Sequence, residues 1–175
     1  RVDGFAMMPN FTFGMAMTTF VGQNVGAGFM DRVREGVRVG LRAGLAISVV
    51  LVAGILIFGE NLMRMFTSTE EVVTLGVHMM QILALGYIAM AVTQSLSGVM
   101  RGAGDTMTPM WISIITTVII RMPLAYGLAY LTRSEALPNG SPDSLFISLL
   151  VSWVMGAVLT SVAYRRGAWK KKVVM

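Results

Sequence analysis

Five long stretches of this chain hold a single permanently charged residue between them, and they constrain the fold more than any other feature. They cover residues 4–30, 43–59, 72–100, 106–132 and 144–164, and the one charge is Arg121 in the fourth. A helix needs about 20 apolar residues to cross the hydrocarbon core of a bilayer, and four of the stretches reach that length. The second is shorter, but at roughly 1.5 Å per residue it still covers most of a core about 30 Å thick. Helices are expected because lipid offers no partner for a bare backbone N–H or C=O. The sequence therefore predicts an all-α membrane protein with five transmembrane helices. A mean hydropathy of +0.70 excludes an ordinary water-soluble globule.

Basic residues are distributed unevenly over the connections. Arg32, Arg34, Arg38 and Arg42 follow the first stretch, Arg101 follows the third, and Arg165, Arg166, Lys170, Lys171 and Lys172 follow the fifth. Only Arg1, Arg64 and Arg133 fall on the other side. The positive-inside rule then predicts a multi-pass protein of the cell membrane, with a basic cytoplasmic tail at 165–175 and an external N-terminus. Such a start without an entry signal leads to the expectation that an odd number of helices precedes residue 1 in a larger polytopic protein. The net charge of +5 would suggest nucleic acid in a soluble chain. Here topology and anionic headgroups account for it, so the expected partner is the lipid bilayer and not nucleic acid. Absence of cysteine excludes disulfides and thiolate metal sites.

Polar residues inside the stretches are the candidate functional positions. Asn10, Gly14, Thr18, Gly22 and Gly26 recur every four residues, as do Ser148, Ser152, Gly156 and Thr160. Small residues at that spacing allow close helix approach, and their polar members can also line a cavity. Tight packing is the expectation for the second set, whereas Asn10 and Thr18 are candidates for either role because Pro9 loosens the helix beside them. Two Gly-Ala-Gly triplets, at 26–28 and 102–104, end helices and read as hinge or cap elements, together with Pro9, Gly22, Gln23, Asn24, Gly26, Gly102, Gly104 and Pro123. Residues 31–42 carry an arginine stripe beside a Val33–Val37–Leu41 stripe, predicting an amphipathic segment along the interface.

His78 and Gln81 share a face near the outer end of the third helix, and Gln94 points nearly the opposite way. His78 is either a protonatable group at a pathway mouth or a hydrogen-bonded interfacial histidine. Arg121, with Ser113 and Thr117 spaced four residues apart before it, is expected to face a cavity, pair inside the bundle or snorkel outward. Sixteen methionines could supply adaptable lining. Paired carboxylates, a histidine-metal cluster and an activated nucleophile are all missing from the stretches, so an enzyme is not expected.

The run Pro9…Gly14…Ala16…Val21-Gly-Gln-Asn-Val-Gly-Ala-Gly…Arg32, with Met100-Arg-Gly-Ala-Gly-Asp-Thr…Pro109 and Arg121-Met-Pro-Leu-Ala-Tyr, resembles the multidrug and toxic compound extrusion (MATE) family over essentially the whole chain. The resemblance implies a twelve-helix transporter of two six-helix lobes, of which this chain is similar to helices eight to twelve, most of the C-terminal lobe. It implies export of small cationic or amphipathic substrates in exchange for Na⁺ or H⁺ by the whole protein. Some members of that family hold the coupling cation on carboxylates in the C-terminal lobe. Here all nine acids fall outside the stretches, which fits better the DinF-like branch with its essential Asp in the N-terminal lobe. The coupling ion, Na⁺ or H⁺, is therefore expected in the missing N-terminal lobe, with no other cofactor. A lipid-linked oligosaccharide flippase of the same superfamily is the alternative, and a single intramembrane arginine argues against it.

Overall fold

The computed structural model describes residues 2–134 and 137–172, and every regular element among them is helical. Arg1 and residues 173–175 of the expected tail lie outside the described residues. The elements are α1 (Val2–Gly26), α2 (Met30–Arg64), α3 (Glu70–Gly102), α4 (Met107–Ile114), a π-helical stretch (Ile115–Arg121), α5 (Met122–Leu131), α6 (Asp143–Arg166) and α7 (Ala168–Lys172). The fourth and fifth helices and the π stretch between them form one rod, Met107–Leu131. Four helices are long and apolar enough to cross a bilayer: Met30–Arg64, Glu70–Gly102, Met107–Leu131 and Asp143–Arg166. The 25 residues of α1 suffice in length, but its polar side chains keep it outside that group. It is nonetheless the fifth long helix of the bundle, packed on α2 and α3.

The apolar surface faces outward. In the most apolar part of α2 only 22% of residues are buried, and in the rod only 6%. Large apolar side chains such as Val50, Ile57, Leu85 and Leu131 lie open on the surface. So large an apolar exterior is matched to hydrocarbon.

At the centre stands α3, which touches α1, α2, α4 and α6. Its contact with α1 is backbone on backbone. A Cβ added at Gly14 would lie 2.9 Å from the Gln94 carbonyl oxygen, and one at Gly102 would lie 2.5 Å from that of Thr18. One at Gly98 would collide with the Gly14 carbonyl. The four-residue stripe of α1 is thus a packing seam, matched by Gly98 and Gly102 on α3. Just beyond it, the Tyr87 carbonyl accepts Asn10 Nδ2 at 3.2 Å from α1 and Ser48 Oγ at 3.1 Å from α2. The stripe on α6 is buried in the same way: Ser148, Ser152 and Thr160 are all shielded, and Ser152 Oγ donates to the Thr116 carbonyl at 3.0 Å.

The expected interfacial segment at 31–42 is not a separate element. It forms the first turns of the unbroken 35-residue α2, so it cannot lie flat while the rest of the helix crosses. The reason is a third stripe, Gly36, Gly40 and Gly44, which receives Phe20, Met17 and Phe13 of α1. Val33 and Val37 pack with Met17, Val21, Val99 and Trp169 in a buried cluster instead of on lipid.

Both Gly-Ala-Gly triplets act as caps of one design. Gly28 and Gly104 have φ of 77° and 87°. In each cap the next residue's N–H reaches back five positions, Phe29 to Asn24 O and Asp105 to Met100 O, both at 2.8 Å. The glycine N–H reaches back three, to Val25 O and Arg101 O, both at 3.0 Å. This Schellman arrangement satisfies the last carbonyls of α1 and α3. After α6, Gly167 turns the chain at φ 71° and seats Trp169, which donates Nε1–H to the Tyr164 carbonyl at 3.1 Å and stacks on the Tyr164 ring. The basic tail is therefore docked by a buried tryptophan through residue 172.

Gly98→Ala is expected to cost about 1–3 kcal/mol, because the added methyl has only backbone to displace. Gly54→Ala, where nothing lies within 4 Å, should leave the melting temperature unchanged or raise it. Thermal unfolding of the two variants in detergent provides the comparison.

Candidate functional site

Two cavities open on the same side of α3. The larger, of about 470 Å³, lies between α3, the α4–π segment and α6; Met90, Thr93, Gln94, Ser97 and Arg101 form its α3 wall. Ser113 and Thr117 face it across the gap, and Trp153 and Gly156 close it from α6. The second, of about 460 Å³, is lined by Phe11, Met15, Thr18 and Thr19 of α1 and again by Gln94 and Arg101. Gln94 and Arg101 border both, so the two cavities adjoin as a groove in which polar side chains stand among methionine and aromatic ones.

The α3 wall follows from helical spacing: Gln94, Ser97 and Arg101 stand three and four residues apart on one face. The opposite wall depends on the π stretch. Pro123 has no N–H to give and its ring crowds the carbonyl four residues back, so the turn before it widens. Thr116 sits buried in that turn; its Oγ1 donates to the Ile112 carbonyl at 2.9 Å while its own carbonyl takes Ser152. Widening also changes which residues share a face. Ser113 and Thr117 line the groove, but Arg121, expected on their face, does not. Arg121 is half-buried at the end of the π stretch and forms no ion pair among the described residues.

The remaining candidates separate by position. Thr18 lines the groove, though its Oγ1 is bonded to the Gly14 carbonyl at 2.9 Å. Asn10 is buried and committed to Tyr87 O. Gly22 abuts the Gly102 carbonyl, a Cβ added at Gly26 would meet nothing within 4 Å, and Gln23 is exposed. Asn24 Nδ2 donates to the Phe20 carbonyl at 2.8 Å within the capped end of α1, and α1 continues unbroken through Pro9. His78 and Gln81 lie away from the groove, beside Glu60, Glu70 and Glu71 at the opposite end of the bundle. There His78 Nε2 meets Asp143 Oδ1 at 3.1 Å, tying α3 to the start of α6. Sequence reasoning missed the groove's principal residues, Thr93, Gln94, Ser97 and Arg101. The signal was present as a polar i, i+3, i+7 face within an apolar run.

Among the described residues no group of three or more His, Cys, Asp or Glu side chains is placed to hold a metal. Asp105 is buried where α3 gives way to α4, and accepts Thr108 N–H at 3.2 Å and Thr108 Oγ1 at 2.7 Å.

A bundle of membrane-length helices with an apolar exterior and a groove along one side defines a polytopic membrane protein. Residues 1–127 match the MatE family model, and the chain belongs to that family. It is 28% identical over 98% of its length to the probable multidrug resistance protein YoeA of Bacillus subtilis. It is 26% identical over its whole length to the probable multidrug resistance protein NorM of Thermotoga maritima. In both cases it spans 36% of the relative's length. The crystal structure of the eukaryotic MATE transporter AtDTX14 superposes with a TM-score of 0.81 at 25% identity, covering 96% of this chain and 36% of the other.

Because Arg121 lies outside the groove and has no ion-pair partner among the described residues, Arg121→Leu should insert and fold at wild-type yield or better. A central arginine costs about 2.5–3.5 kcal/mol on insertion scales, and leucine removes that cost. A melting temperature lowered by several degrees would show instead that its guanidinium holds the bundle.

Proposed function

We propose that this chain forms most of one lobe of a secondary multidrug antiporter, equivalent to helices eight to twelve of a twelve-helix protein. The complete protein exports cationic or amphipathic compounds in exchange for Na⁺ or H⁺. The observation that carries this reading is the joined groove along α3, in a chain similar to proteins named for multidrug resistance. Met15, Met90 and Met110 offer thioethers that reshape around different apolar bodies, and the surrounding hydroxyls and Gln94 amide offer a few movable hydrogen bonds. Alternating access needs a second lobe working against this one.

The groove itself holds no obvious coupling group. Arg101 is the charged residue among its lining side chains, and an arginine neither binds Na⁺ nor releases a proton. Coupling is therefore assigned to a carboxylate in the rest of the protein, and His78, paired with Asp143 at the far end, to a structural role. Arg101 is also the one feature that favours the flippase alternative, since a guanidinium suits pyrophosphate. One such group is few for so heavily charged a cargo, and that reading ranks second.

In proteoliposomes of the complete protein, an imposed Na⁺ or H⁺ gradient should drive efflux of a cationic dye. Gln94→Leu should slow it roughly 3–10-fold, the worth of about one hydrogen bond, and His78→Gln should retain it. Abolished coupling in His78→Gln, with dye binding and folding intact, would place the coupling group in this chain. Failure of the complete protein to move any cationic dye, combined with movement of a lipid-linked oligosaccharide, would favour the flippase.

The reading also orients the bundle, with the basic ends of α2, α3 and α6 in the cytoplasm. Cysteines introduced at Arg34 and Asn139 of the complete protein should be labelled by an impermeant thiol reagent from the inside and outside respectively. The reverse pattern would overturn the orientation.

A further inference from the structure

On the opposite side of α3 from the polar groove, a slot of about 340 Å³ opens between the basic ends of α2, α3 and α6. Val92 and Leu96 belong to its wall. Each lies two residues from Gln94, and hence about 200° around the helix from it. The rim carries Arg34 and Arg38 of α2 and Arg165 of α6, with Tyr164 beside them.

These arginines are short of anions. Arg34 meets only Asp31, at 3.4 Å, and that carboxylate side chain is 97% exposed. Arg38 and Arg165 form no ion pair among the described residues, and neither does Glu35, the other acid of this end of α2. The exterior around the slot is apolar and lipid-facing, so its basic rim lies where the helices leave the hydrocarbon. A rim of three cations above an apolar wall matches a molecule with an anionic head and a hydrocarbon tail.

We infer that this slot seats one anionic phospholipid at the protein surface, with its phosphate among Arg34, Arg38 and Arg165 and part of an acyl chain along the wall that includes Val92 and Leu96. The site is independent of the transport groove and of the identity of any substrate. It fastens α2 to α6, which otherwise meet mainly through α3.

The test is native mass spectrometry of the complete protein in detergent, titrated with phosphatidylglycerol or with phosphatidylcholine of the same chains. Phosphatidylglycerol should be retained as a discrete adduct at lower concentration than phosphatidylcholine. The triple variant R34Q/R38Q/R165Q should weaken that adduct on the order of ten-fold or more. R32Q/R42Q/R166Q, which removes equal charge outside the slot, should not. Val92→Trp fills the wall and keeps every charge, and should also lose the adduct; it decides the matter should the triple variant not fold. Equal retention of the two lipids, or a preference that survives both the triple variant and Val92→Trp, would overturn the inference. So would competition by inorganic phosphate at the lipid's own concentration, which would reduce the site to an ion site. A complete protein retaining no anionic lipid would overturn the inference equally.

Discussion

The approach of α1 to α3 at glycine distance is the contact on which the rest of the structure depends. Hydrocarbon surrounds the bundle as readily as a neighbouring helix does, so burial of apolar surface cannot by itself choose partners. Backbone proximity can. Gly14, Gly98 and Gly102 let two main chains meet where any Cβ would intrude. At that separation the amide of Asn10 reaches the Tyr87 carbonyl, which Ser48 also reaches from α2. The same proximity brings Thr18 of α1 to the groove that Gln94 and Arg101 line. A wider crossing would loosen the three-helix tie and divide the groove together.

Lipid solvation also explains why most intramembrane polar residues are ties and not parts of a binding surface. Asn10, Ser48, Ser152 and Thr116 are each spent on a carbonyl of their own or a neighbouring helix. Such bonds contribute modestly, averaging about 0.6 kcal/mol in one measured membrane protein. Their greater effect is on register, since each fixes the rotation of one helix against another. The polar side chains left for a ligand are those that line the groove, Gln94, Ser97 and Thr117 among them.

Much of this was legible in the sequence because lipid reduces the choices. Helix positions followed from runs of uncharged residues, and the four-residue stripes of α1 and α6 announced seams that the structure contains. The glycine caps were readable too, since a Gly-Ala-Gly at a helix end has few other uses. Failures came where distant residues decide. The arginine stripe at 34, 38 and 42 suits a helix on lipid and a helix on protein equally well; only the fit of Phe20, Met17 and Phe13 onto Gly36, Gly40 and Gly44 separates them. The π stretch was hidden because a sequence shows Pro123 but not the Ser152 bond that helps hold the widened turn. Of the three roles open to Arg121 in the sequence, lining the groove beside Ser113 and Thr117 is the one its position does not support. Trp169 was overlooked because a basic tail invites reading by charge alone.

The charge of the groove bears on what one lobe can accomplish by itself. Arg101 is its charged lining residue, and the glycine cap holds it at the end of α3, where a cation also complements the helix dipole. A guanidinium repels cations, but Arg101 is exposed, so at about 4 Å the repulsion lies nearer the roughly 1 kcal/mol of water than the value of a protein interior. On the proposed reading, a cationic compound bound here alone would meet adaptable methionines, hydroxyls and an unfavourable charge. The proposal assigns the balancing acid to the surface facing the groove. Binding would join the two surfaces, and titration or Na⁺ occupancy of that acid would release the cargo. On that proposal, shape and breadth of recognition would fall to this chain, and charge selection and coupling to its counterpart.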